Sequence, residues 1–393
     1  MRALSGVTLG VTTIATIAVM WVRAKWATTI PESAMCLLGV VWAIALLSGR
    51  TKVRLAWVMA PLAAVIGLAI LQVATGITVY AWPTTMAALY WTGSLATVFV
   101  GLQVFEDRDR RVGYLDALLV FGCLLAVLST AQAMTSQGMI YWTFPDKLVP
   151  DAIFGPFLYA NQFAAFIELV LPLAIYNAVT RDKGKFLYVM AAAILFGSVL
   201  YSGSRGGAGI TLAEIVVVPL LTARRRDISR KHLLNLGAVL VVGLLWVWVV
   251  AGPDKLIGKV GAADPFLGRR EFNISSLAMI RERPLQGFGL GNWATAYPGY
   301  ASFDDGLYAN QAHNDWAQWT VEGGIPMLLL MLAVAVWAVP RAVRSGWGLG
   351  VAAIFIHCLA DYPIQRTGVA IVFFTMMAAI APYGRPSQPS SPK

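Results

Sequence analysis

The sequence predicts an all-α polytopic integral membrane protein, with about 12 transmembrane helices and one long outer loop that contains short helices. Three observations predict it. Charged residues are 13% of the 393-residue chain and hydrophobic residues 58%, whereas a soluble protein carries roughly 25% charged residues. Apolar runs of about 20 residues, the length that crosses a bilayer, recur along the chain. The 30 Lys and Arg residues, against 20 Asp and Glu, fall mostly on alternate connections between these runs. An ordinary soluble globule, a disordered chain and a disulfide-rich secreted domain are excluded.

In chain order the expected spans are 7–23, 33–49, 55–72, 84–105, 112–134, 157–178, 186–201, 207–222, 233–251, 316–339, 346–361 and 367–383. Arg2 followed by an apolar run is also how a cleaved signal peptide begins, but the many later spans favour a retained signal-anchor helix. The connections test the map, because cytoplasmic loops are enriched in Lys and Arg. One side collects Arg50, Lys52, Arg54, Arg108, Arg110, Arg111, Arg181, Lys183 and Lys185, then Arg224, Arg225, Arg226, Arg230, Lys231, Arg341 and Arg344. With Arg2, Arg385 and Lys393 it holds 19 basic residues, and the opposite short connections hold five: Arg23, Lys25, Lys147, Arg205 and Arg366. Both termini are therefore expected in the cytoplasm and the long 252–315 segment outside. The organisation reads as N-terminal spans in 1–150, central spans in 151–251, the outer loop in 252–315, C-terminal spans in 316–383 and a disordered Pro/Ser-rich cytoplasmic tail in 384–393. The net charge of +10 is thus a matter of membrane orientation, and no nucleic acid is expected as partner. Cys36, Cys123 and Cys358 lie inside apolar runs without ligand spacing, so no metal or cofactor is expected.

Polar chemistry gathers on the outer side. The segment from Ala312 to Gly324 enters the tenth span, and Asp315, Gln318, Trp319 and Glu322 have offsets of 3, 4 and 7, one face of a helix. His313 stands at the N-terminus of that helix, which disfavours an imidazolium, and is a candidate general base. Arg205 lies in the very short outer turn Ser202-Gly203-Ser204-Arg205-Gly206-Gly207, placed to bind an anionic head group or to snorkel to lipid phosphate. In the long loop, Gly268-Arg269-Arg270 precedes an apolar-periodic stretch and then Pro284-Leu285-Gln286-Gly287-Phe288-Gly289-Leu290-Gly291. Those glycines read as an irregular turn, since no strand–turn–helix surrounds them. Trp293, Tyr297, Tyr300, Tyr308 and Trp316 follow, as sugar-stacking aromatics or as an interfacial belt. Glu168 and Glu214 are the carboxylates deepest in the spans and read as packing residues or functional ones.

These residues resemble the O-antigen ligase and polymerase family, bacterial membrane glycosyltransferases of GT-C-like architecture. His313-Asn314-Asp315 with Gln318 and Glu322-Gly323 is similar to the family's H-N-x-x-x-Q-x-x-x-E-x-G block. Ser204-Arg205-Gly206 is similar to its outer turn, and Gly268-Arg269 with Pro284-Leu285-Gln286-Gly287-Phe288-Gly289 to its G-R…P-L-x-G-x-G loop. Gly155-Pro156-Phe157…Asn161-Gln162-Phe163-Ala164 and His357…Asp361-Tyr362-Pro363-Ile364-Gln365 are weaker likenesses. Two positions depart: Asn273 stands where a Trp is common, and Met327 where ligases continue with Gly, Thr or Tyr. The first 150 residues share only hydropathy with the family.

The resemblance implies a glycan donor on undecaprenyl diphosphate, used at the periplasmic face of the bacterial inner membrane in lipopolysaccharide or other polysaccharide biosynthesis. His313 would take the acceptor's proton, and Arg205 and Arg269 would bind the diphosphate, with no metal. Asn314, Gln318, Glu322, Trp316, Trp293, Asn161 and Arg270 would support the site or contact substrate, and the His357/Asp361 pair would be a structural hydrogen bond. The acceptor is lipid A-core for a ligase, the growing glycan for a polymerase, or a protein hydroxyl. The competing reading is a lipid or polysaccharide transporter or flippase, which would place its polar groups near the midplane.

Overall fold

The computed structural model describes residues 1–49, 52–146, 153–181, 183–224, 237, 241, 267–302 and 308–384. The helices among them are α1 (Arg2–Ala18), α2 (Trp26–Leu47), α3 (Met59–Ala74), α4 (Ala81–Val104), α5 (Arg108–Thr135), α6 (Ala160–Thr180), α7 (Lys185–Ser202) and α8 (Arg205–Ala223). After the long segment's start come α9 (Leu267–Glu282), the single turn α10 (Trp293–Ala296), α11 (Asp315–Ser345), α12 (Leu349–His357) and α13 (Thr367–Ile380). A two-residue hairpin, β1 (Met139–Ile140) with β2 (Phe144–Pro145), follows α5.

Seven of these helices, α2, α4, α5, α6, α7, α8 and α11, are long and apolar enough to cross a membrane, and α1, α3 and α13 are shorter apolar helices. The expected 233–251 span lies outside the described residues. The 346–361 span is corrected: its helix, α12, has only nine residues. At 1.5 Å per residue it is about half the length a crossing needs. Several helices outrun the apolar runs because charged residues also take helical geometry. Asp107 caps α5 by accepting hydrogen bonds from the Asp109 and Arg110 amides at 2.9 and 3.4 Å, so the Arg108–Arg111 cluster is the helix's first turn. At the far end of α11, Arg341 lies 4.3 Å over the Trp337 ring and donates to the Trp337 carbonyl at 2.7 Å.

The core is one apolar cluster centred on α6, which is buried along almost its whole length and packs on α7, α8 and α12. The bundle's two ends differ in chemistry. One end gathers ion pairs among basic connections: Arg2 to Glu106 at 2.5 Å, Arg54 to Glu106 at 2.7 Å and Arg181 to Asp116 at 3.4 Å. The other end carries the α3–α4 connection, the starts of α6, α8 and α11, and the α12–α13 turn. The segment holding α9 and α10 docks there. Its small apolar core, Met279, Phe288, Trp293, Tyr297 and Ala312, is completed by Val321 of α11.

That docking depends on glycine. α11 is broken at Gly324 (φ 67°, ψ −170°), and the freed Ile325 amide donates to the Pro284 carbonyl at 2.7 Å. The Phe288 and Gly289 amides donate to the Val321 and Glu322 carbonyls at 3.0 and 2.9 Å. A Cβ on Gly287 would sit 2.3 Å from the Glu322 carbonyl oxygen, and one on Gly324 2.4 Å from the Leu285 oxygen. The loop and helix backbones meet where no side chain fits.

Candidate active site

Three segments bring their polar residues to one carboxylate, Asp361, in the turn between α12 and α13. From the start of α6, Asn161 donates its amide to Asp361 Oδ2. From the first turn of α9, Arg269 Nη2 lies 3.3 Å from the same oxygen. From the residue before the α11 cap, His313 Nδ1 lies 3.5 Å from Oδ1. The Tyr362 amide donates to Oδ1 at 2.9 Å. Burial pushes the Asp361 carboxyl upward, but the His313 contact and the neighbouring His357 and Arg269 outweigh it and hold the carboxyl at about 2.

Each partner is fixed by its own local structure. Asn314 caps α11 by accepting from the Ala317 amide at 3.1 Å. Its amide group donates to Asn273 at 2.9 Å, and Asn273 in turn donates to the Arg269 carbonyl at 2.8 Å. Asn273 thus ties α9, and with it Arg269, to the cap beside His313. His313 has φ +52°, a left-handed conformation uncommon outside glycine, though His, like Asn and Asp, adopts it more readily than most side chains. Its ring stacks on Phe272 at 5.8 Å and meets the edge of Tyr362 at 4.7 Å. Nδ1 is enclosed, with no hydrogen-bond partner among the described residues, while the side chain as a whole is 28% exposed. Asn161 also accepts from the Ser204 hydroxyl at 2.7 Å, and Ser204 caps α8. Arg205, the next residue, begins that helix and is exposed. Arg270 is exposed beside Arg269.

The site therefore brings His313, Arg269, Asn161 and Asn314 together, with Arg205 one residue from the network. Gln318, Glu322 and Trp293 sit apart from it. Gln318 donates to Glu322 at 3.0 Å and accepts from the Ala312 amide at 3.0 Å, and Glu322 accepts from the Trp293 amide at 3.3 Å. All three are buried, and they bind the docked loop to α11. The aromatic residues after the loop are not a uniformly exposed set. Trp293 and Tyr297 are stacked on each other inside the small core, Trp316 donates to the Phe355 carbonyl at 3.0 Å, and Tyr308 is exposed. Asp315, Gln318, Trp319 and Glu322 are all buried, within a stretch of α11 that is buried on every side from Gln318 to Gly324.

The hydrogen bond expected between His357 and Asp361 is made by the backbone. These residues share a backbone bond, Asp361 amide to His357 carbonyl at 3.0 Å, whereas the His357 ring pairs with Glu168 at 2.8 and 3.0 Å. Glu214 is buried, and its two carboxylate oxygens have no partner among the described residues. Asp361 is the residue that sequence reasoning passed over. Its signal was an acidic side chain at a helix end inside the Asp361-Tyr362-Pro363 pattern, but only the fold shows what surrounds it. Among the described residues no cluster of three His, Cys, Asp or Glu side chains is placed to hold a metal.

Comparison with known proteins bears on one part of the chain. No curated protein matches it. Residues 190–332 match the family model described as O-antigen ligase, a stretch that contains Arg205, Arg269, the glycine loop and the His313 block. The resemblance read from the motifs is borne out over that stretch.

Proposed function

We propose that the protein is a membrane glycosyltransferase that moves a glycan from undecaprenyl diphosphate to an acceptor hydroxyl, at the outer face of the bacterial inner membrane. The observation that carries this reading is the convergence of His313 and Arg269 on Asp361, with Arg205 held nearby through Ser204 and Asn161. A base and two guanidinium groups at one end of an apolar bundle suit a lipid-linked, doubly charged leaving group.

In this reading the acceptor hydroxyl gives its proton to His313 Nε2, the nitrogen turned away from Asp361, as its oxygen attacks the anomeric carbon. The bond from that carbon to the diphosphate oxygen breaks, and its electron pair leaves with the diphosphate. Arg205 and Arg269 neutralise the charge that builds there, each fork binding two oxygens. Asp361 Oδ1, 3.5 Å from Nδ1, stabilises the imidazolium as it forms, the part a buried carboxylate plays beside a catalytic histidine. Gln318, Glu322 and Trp293 act by holding the loop that presents Arg269. A transporter would concentrate its polar groups at the midplane; here the buried Glu168–His357 pair and Glu214 lie deeper in the bundle, and the convergent network lies at its end.

The test uses purified protein in detergent with a lipid-diphosphate-linked oligosaccharide, products being resolved on a gel with and without lipid A-core. A ladder without added acceptor identifies a polymerase, and transfer only with the core identifies a ligase. His313→Ala is expected to abolish both while folding normally, and normal output from that variant would remove the base from the mechanism.

A further inference from the structure

One face of α6 grips α12 and the turn after it at two points. Asn161 and Glu168 are seven residues apart on α6, two turns along the same face. They meet Asp361 and His357, which are four residues apart. The first contact belongs to the active site. The second is deeper: Glu168 is 0% exposed and His357 4%, beyond reach of any substrate. Around it the backbones nearly touch, because a Cβ on Gly350 of α12 would lie 2.1 Å from the Glu168 carbonyl oxygen.

A buried ion or hydrogen-bonded pair is a poor way to add stability, since well-packed apolar side chains do as well or better. What it supplies is direction. An apolar contact tolerates sliding and rotation of α12 on α6, whereas a ring nitrogen shared between two carboxylate oxygens at 2.8 and 3.0 Å does not. The constraint reaches Asp361 through one turn of backbone, closed by the Asp361 amide on the His357 carbonyl at 3.0 Å.

We propose that Glu168 and His357 are positioning residues: their pairing sets the register of α12 on α6 and so holds the Asp361 carboxylate against His313 and Arg269. The inference rests on the glycosyltransferase reading of that site. A misplacement of about 1 Å at a reacting centre costs roughly 100-fold in rate, so a helix that slips by a fraction of its pitch is enough to lose activity without unfolding.

The experiment measures kcat and KM for the lipid-diphosphate donor, with the melting temperature, for His357→Ala, Glu168→Gln, Glu168→Leu and Ile354→Ala. Ile354, equally buried on α12, controls for packing. Expected are a kcat at least about tenfold lower for His357→Ala and Glu168→Leu, KM unchanged within about twofold, and near-normal kcat for Glu168→Gln, which keeps an acceptor for the ring. In an Asp361→Asn background, His357→Ala is expected to cost nothing further, because both act through one carboxylate. The proposal is overturned if Ile354→Ala costs as much as His357→Ala, if the double variant loses the product of the two single losses, or if Glu168→Leu is fully active. Should His357→Ala not fold, the Gln and Leu variants at Glu168 decide alone. A wild-type protein that turns over no donor overturns the glycosyltransferase reading instead, and is told apart by its being silent before any substitution.

Discussion

Asp361 shows how much one side chain can organise. Two cations or potential cations and an amide approach it from α6, α9 and the start of α11, and each depends on the carboxylate staying ionised and in place. Asp361→Asn keeps the shape but removes the charge, and is expected to lower kcat at least about 100-fold, by analogy with the loss of a carboxylate behind a catalytic histidine. The pH dependence of kcat/KM measures the same point: its acid limb should move in Asp361→Asn and stay put in variants of Gln318. The depressed value also links to stability. A carboxyl held at about 2 in the folded protein, below its ordinary value of 3.8, stabilises the fold above about pH 4, and that contribution is lost as pH falls toward 2. The loss of stability between about pH 4 and pH 2, followed by tryptophan fluorescence, should therefore be smaller in Asp361→Asn.

At the scale of elements, the two glycine-containing motifs are halves of a single contact. Pro284–Gly289 and Glu322–Gly324 read as separate blocks in the sequence, yet their backbones hydrogen-bond to each other across the break in α11. Gly324→Ala introduces a side chain at φ 67° and a Cβ 2.4 Å from the Leu285 oxygen. Strain alone is worth about 1–3 kcal/mol, and relief requires the loop to lift off. The expected outcome is faster proteolysis between residues 283 and 300, with loss of activity and retention of the membrane-embedded helices. Unchanged proteolysis would mean that the loop is held elsewhere. The buried Gln318–Glu322–Trp293 contacts belong to this element and explain why residues in the same helical block as His313 serve the loop.

For the whole molecule, orientation follows from chemistry at the two ends. The ion pairs of Arg2, Arg54 and Arg181 gather at one end, and the Asp361 network with α9 at the other. The bias of basic residues toward cytoplasmic connections predicts the basic end inside and α9 facing outward. In a background with Cys36 and Cys123 replaced by Ser, Arg281→Cys should react with an impermeant maleimide on intact spheroplasts. Arg108→Cys should react only after permeabilisation. The reverse pattern would invert the topology and remove the outer-face assignment of the site.

The sequence by itself determined the class of the protein, most of its helices and the family that its best motifs resemble. The reason is that bilayer thickness sets the length of an apolar run, and that His, Arg and Gly at short spacings belong to one local structure. It misjudged α12, because a run apolar enough to cross need not be helical for long enough, and it could not pair His357 with Glu168. Only the tertiary structure decided which polar residues meet. Asn161, Ser204, Arg269, His313 and Asp361 are scattered over 200 positions, and what unites them is that α6, α8, α9 and α11 begin, and α12 ends, at the same end of one bundle.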